Sequence, residues 1–306
     1  SVILQLTVYA SILIFTLGLV VYGLTDLNLA SALYQSGSTF TTLGIVEPVN
    51  VASAITTFIA AFLGLMVIAI FIGYLLGTYS AYVARESQMA RIALIAGEPA
   101  WGPQILIRGH LLGFSVDALP DARSWIDWTT NLRMNQLVNV ALSDFRSTSP
   151  WRHWTTTLLA VLDAAALRLA LSPDRTHPHL VELVAQAATS LRALSTNGRA
   201  NGRVPNWTIE STILDVLTGR IDTPGDPHLS RADFEDALAE LRAVGIDVPG
   251  DSDALWLRFS AIRAMYAADT VALARRHHAV HSPWSGTRHP ATTVIEPTRA
   301  GRVTAT

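Results

Sequence analysis

The sequence predicts an all-α chain: two transmembrane helices joined by a re-entrant helix and loop, then a larger all-helical domain. Three observations carry this. Residues 2–24 and 49–83 are uncharged apolar runs, each long enough to cross a hydrocarbon core that needs about 20 residues. Between them, a short segment too apolar for an ordinary loop ends in Thr41-Thr42-Leu43-Gly44. From Arg85 onward, apolar residues recur at helical spacing between Pro and Gly breaks, with little of the alternation a sheet requires.

Charge divides the chain the same way. The first 84 residues carry two charges, Asp26 and Glu47, while all 22 basic residues, every one an Arg, fall in the remaining 222. Those 222 residues also hold 22 acids, 24 less the two upstream. The second part is therefore neutral and lacks the basic face that nucleic acid requires. Absence of Cys removes disulfides, thiolate metal sites and Cys nucleophiles. No basic n-region precedes the first run, so it reads as a span rather than a cleaved signal, and the native chain is expected to begin upstream of Ser1. Residues 25–50 have no Arg, whereas Arg85 and Arg91 follow the second run. The positive-inside rule then puts 85–306 in the cytoplasm and 25–50 outside.

In the first run Tyr22 suits an interfacial anchor. Asp26 is the expected N-cap of a helix over 27–40. Fourteen helical residues reach about 21 Å, too short to cross but long enough to dip in and aim a negative helix end at the bilayer centre. Non-helical backbone at that depth needs burial in protein or a watery cavity. Residues 49–84 would reach about 50 Å as a helix and so protrude beyond the roughly 30 Å core. Gly64, Gly73 and Gly77 lie within it. They read either as close-packing positions, Gly73 and Gly77 forming a small-xxx-small pair, or as an inner-helix hinge.

A span, a short helix, Thr-Thr-Leu-Gly and a long second span resemble the two-transmembrane pore module of the potassium-channel superfamily. The resemblance covers residues 1–84. The family filter runs Thr-Val-Gly-Tyr-Gly-Asp; laid on this chain, Thr42, Leu43 and Gly44 match its Thr, Val and first Gly. Ile45 stands for the aromatic, Val46 for the second Gly, and Glu47 for the acid. The resemblance implies a filter over Thr41, Thr42, Leu43, Gly44, Ile45 and Val46, with K⁺ or Na⁺ as permeant ions and no cofactor. Glu47 would form an outer acidic ring or serve as a plain surface acid. Positive φ at a β-branched residue such as Val46 is strained, so the outer half departs from the family geometry. One loop per chain requires four copies around a cyclic axis, hence a homotetramer in membrane lipid. The competing expectation is a non-conducting, membrane-anchored signalling or scaffold protein that keeps the hairpin.

The second part reads as helices over 85–96, 104–112, 121–145, 151–171, 179–194, 207–217, 230–244 and 251–278, with a linker at 196–204. Ser230 and Asp233 have the spacing of a helix start. Residues 282–306 read as a disordered tail. Phe145-Arg146-Ser147, then Ser149-Pro150-Trp151 and the apolar 159–166, are similar to C-terminal domains of bacterial two-transmembrane channel-like proteins; no soluble ligand is implied. Asp163 amid apolar residues reads as a buried paired acid, the sharper alternative being a ligand or proton site. His277 and His281 at i, i+4 would suit a metal, against a frayed helix end as the plainer reading; His177-Pro178-His179 reads as a turn. Trp125 with Trp128, and Trp151 with Trp154, read as core packing. Phosphate-loop, dinucleotide, zinc-protease and nucleophile-elbow motifs are all missing, so no enzyme is expected.

Overall fold

The computed structural model describes residues 2–113, 119, 122–139, 142, 145, 147–173, 177–196 and 206–286. Every regular element among them is helical. The chain divides into two compact units, Ser1–Ala81 and Tyr82–Thr306.

In the first unit, α1 (Val2–Leu24) and α2 (Leu29–Phe40) pack together, and α3 (Val51–Ala96) begins after a short loop. Asp26 is exposed and does not cap α2. Asn28 does, its side chain accepting from the Ser31 N–H at 2.8 Å. The helix starts two residues later than expected because Asn28, in extended backbone, is the residue whose side chain reaches back to the first turn. Asn50 and Ser53 open α3 with a reciprocal cap: Asn50 Oδ1 accepts from Ser53 N–H, and Ser53 Oγ from Asn50 N–H. The apolar run and the amphipathic 85–96 form one unbroken helix of 46 residues.

The second unit comprises the end of α3 with α4 (Gly102–Leu111), α5 (Ala122–Val138), α6 (Trp154–Leu171), α7 (Pro178–Ser195), α8 (Asn206–Leu217), α9 (Arg231–Ala243), α10 (Ser252–Arg263) and α11 (Ala267–Arg276). At its centre lies α6, with α4, α7, α10 and α11 packed on it. Among the described residues three helices are long and apolar enough to cross a membrane: Leu4–Leu24, Val51–Ala96 and Trp154–Leu171. All 18 residues of α6 are buried within the unit, so its all-round hydropathy is satisfied by protein.

Four sequence expectations shift here. The helix predicted to reach 145 stops at Val138, and Leu142 and Phe145 are held instead by Arg85. The helix predicted from 151 begins at Trp154, after a 3₁₀ turn, Pro150–Arg152. The helix predicted over 251–278 breaks after Arg263 and resumes at Ala267. Its break leaves Arg263 and Tyr266 both on Asp163 of α6, a geometry that one continuous helix does not need to supply. Residues 282–286 of the expected tail are packed in place, with Ser282, Trp284 and Ser285 buried; 287–306 lie outside the described residues, as does most of the 196–204 linker.

Candidate functional site

The loop after α2 is built from that helix's last turn. Thr42 N–H donates to the Thr39 carbonyl (2.9 Å), and Leu43 and Gly44 N–H groups donate to the Ser38 carbonyl (2.8 and 3.2 Å). Ile45 N–H donates to Ser38 Oγ at 3.0 Å. Four successive donors are thereby drawn toward α2, and among the described residues no carbonyl from Thr41 to Ile45 accepts a hydrogen bond. Thr41 spends its hydroxyl on the Gly37 carbonyl at 2.8 Å. Ser38 organises the whole turn, and nothing in its position within the sequence motif marked it for that role.

Backbone angles in the loop alternate. Thr42 has φ 61° and Gly44 φ 62°, while Leu43, Ile45 and Val46 have no positive φ. Gly44 adopts this region at little cost, but a β-branched Thr there is strained by about 1–3 kcal/mol. Leu43 and Ile45 stand 66% and 63% exposed, and Glu47 is exposed beside them.

The helix that carries the loop is wedged by glycines. A Cβ on Gly18 of α1 would meet Leu33 Cδ2 at 2.6 Å. A Cβ on Gly64 of α3 would collide with the Phe40 carbonyl oxygen. Gly64 is therefore a close-approach position at the end of α2. Gly73 and Gly77 differ: nothing lies within 4 Å of a Cβ on either. The buried face of α2 is mostly polar. Ser36 Oγ donates to the Ile14 carbonyl at 2.9 Å, and Gln35 Nε2 reaches Thr57 Oγ1 at 3.4 Å. Of these partners only the motif residues were visible in sequence, because the rest come from α1 and α3.

In the second unit, Asp163 is 1% exposed and both its oxygens are taken. Arg263 Nε donates to Oδ1 at 2.8 Å and Nη2 to Oδ2 at 3.2 Å; Tyr266 Oη donates to Oδ1 at 2.8 Å. Arg263 also donates to the carbonyls of Pro227 and Trp284. Burial pushes the Asp163 carboxyl above the usual carboxylate range, against the pull of Arg263 and Tyr266. Desolvation opposes the Arg263 charge, but its attraction to Asp163 carries the guanidinium above its ordinary range. Burial, then Asp163, holds the Tyr266 phenol well above its own. With every oxygen occupied, this is a structural ion pair rather than a ligand site.

The tryptophan pair resolves as packing, and the histidines separate. Trp125 and Trp128 meet edge-on at 5.3 Å. His277 follows the last residue of α11, so His277 and His281 do not share a helix face; the His277 ring instead lies 5.6 Å from Trp154. His177 precedes α7 and His179 lies in its first turn, 3.3 Å from Arg123. Among the described residues no group of three His, Asp or Glu is placed to hold a metal. Comparison with protein-family models, curated proteins and solved structures returned no match.

Proposed function

We propose that the chain is the subunit of a homotetrameric, potassium-channel-like monovalent cation channel in the cell membrane, with α1 and α3 spanning and residues 85–306 cytoplasmic. The supporting observation is the Thr41–Ile45 loop, whose N–H groups turn inward to α2 while its carbonyls accept no hydrogen bond from the described residues. Carbonyl dipoles gathered in that way, four copies around an axis, replace a cation's hydration shell. Thr42 contributes both a carbonyl and a hydroxyl, and the hydroxyl makes no hydrogen bond among the described residues. The α2 helix would aim its negative end at the same point. Glu47, if it rings the outer mouth, raises the local cation concentration. K⁺ and Na⁺ are the permeant ions expected, with the helical second unit regulating or assembling the tetramer.

One observation favours the non-conducting scaffold reading. Ile45 and Val46 do not continue the positive-φ alternation, so the outer half lacks the backbone that stacks further ion sites. A liposome flux assay on wild type, Thr42→Ala and Gly44→Ala, paired with a subunit count in native mass spectrometry, decides between the two. Flux that both variants reduce, from a tetramer, supports the channel. A monomer or dimer without flux leaves the scaffold.

A further inference from the structure

The second unit carries a cleft of about 550 Å³, within the size range of small-molecule sites. Its floor is the last two turns of α3 and the glycine that follows them, Ala90, Ala93, Leu94 and Gly97 lining one stripe. Three are small, so a planar group can lie close to the backbone, and Leu94 is 75% exposed. Its walls are charged: Arg108 from α4, Arg152 from the 3₁₀ turn, and Glu98.

Among the described residues each arginine is anchored by a single N–H. Arg108 Nη1 donates to the Leu94 carbonyl at 2.5 Å, and Arg152 Nε donates to Glu98 Oε1 at 2.5 Å. A guanidinium carries five N–H donors, so four on each remain. The charge balance limits what they can hold. Two guanidinium charges are offset by one carboxylate and by about half a charge at the C-terminal end of α3, leaving a net of about +0.5. Charge alone does not retain a multivalent anion there. An oxyanion attached to an apolar body is retained, because it adds burial on Leu94 and the alanine floor to paired N–H···O bonds.

We infer that this cleft binds a small organic anion, a phosphate or carboxylate group carrying an apolar body, with Arg108 and Arg152 gripping the oxyanion. The shared chemistry has two sources, a soluble phosphate ester and a lipid headgroup. The inference does not rest on conduction.

The test is calorimetric titration of the full chain in a neutral detergent with phenyl phosphate, inorganic phosphate and dihexanoyl phosphatidylglycerol. Phenyl phosphate or the glycerolipid should bind at least about tenfold more tightly than inorganic phosphate. Binding of the phenyl ester alone assigns a soluble ligand, and of the glycerolipid alone a headgroup. Arg108→Ala and Arg152→Ala should each weaken binding about tenfold or more, the loss expected for charge-assisted hydrogen bonds. Arg108→Lys should fall between, since it keeps the charge and loses the fork. Ala93→Trp, which fills the floor, should abolish binding while circular dichroism stays unchanged. Failure of every probe to bind, or equal binding by wild type and all well-folded variants, overturns the inference. A protein that binds but passes no ions sinks only the channel reading.

Discussion

The carbonyl oxygen of Phe40 rests against the Cα of Gly64, with no space between them for a Cβ. The last peptide of α2 is thereby seated on the backbone of α3, immediately before the loop that Ser38 folds. Gly64→Ala should displace α2 and cost about 1–3 kcal/mol, the usual range for overpacking. Gly73→Ala and Gly77→Ala face open space and should gain up to about 1 kcal/mol of helix propensity. Thermal unfolding in detergent reads all three. A Gly64→Ala protein as stable as wild type would contradict the seating.

Thr42 stores strain. Thr42→Gly should relieve part of the cost of φ 61° at a β-branched residue and leave the protein as stable or about 1 kcal/mol more so. It also removes a hydroxyl, so flux or ion preference should change even as stability holds. Stability and flux that fall together would mean the Thr side chain is structural.

On the channel proposal, selectivity should be permissive. Two positive-φ positions, at Thr42 and Gly44, organise only the inner half of the loop, and discrimination grows with the number and field of coordinating dipoles. Reversal potentials in mixed K⁺ and Na⁺ should show weak preference in wild type. Ile45→Tyr with Val46→Gly should raise the K⁺ preference. Strong K⁺ selectivity in the wild-type protein would refute this account.

Breaking the Asp163–Arg263 pair should be severe. Asp163→Ala strands a buried guanidinium and should cost about 3–5 kcal/mol, as should Arg263→Ala. Asp163→Leu with Arg263→Met removes both charges and should recover most of that loss. Chemical denaturation of the full chain, followed through tryptophan fluorescence, measures each. A double variant no better than either single one would show that the Pro227 and Trp284 carbonyls depend on Arg263 as much as Asp163 does.

Alkaline pH should loosen the same cluster. Burial, then Asp163, holds the Tyr266 phenol well above its usual range, so above about pH 10 the unfolded chain releases a proton that the folded chain keeps. This contribution to stability is whole below that pH and is lost as pH rises toward the folded-state value. Tyr266→Phe should be less stable near neutrality, by about 1–3 kcal/mol for a lost hydrogen bond to a charged group. It should also show a shallower alkaline decline. An equal slope in both proteins would place the titration elsewhere.

The sequence by itself determined what short-range physics determines. Hydropathy and the want of charge located α1 and the first two-thirds of α3. Ser230 capped α9 as its spacing required, accepting from Asp233 N–H at 3.1 Å. Caps, breakers and periodicity act within one or two turns, so they are legible without a fold. The tertiary structure alone decided the rest. Asp163 and Arg263 stand 100 residues apart, and no local signal pairs them. Arg85 looked like an orientation charge; it is buried, donating to the carbonyls of Leu142 and Phe145. Gly64 read first as a packing position and second as a hinge, and only the Phe40 carbonyl against it names the partner. Such partners are chosen by close packing between segments remote in the chain, where the cost of an unpaired buried group or of one excess methyl is set by neighbours that the sequence does not place.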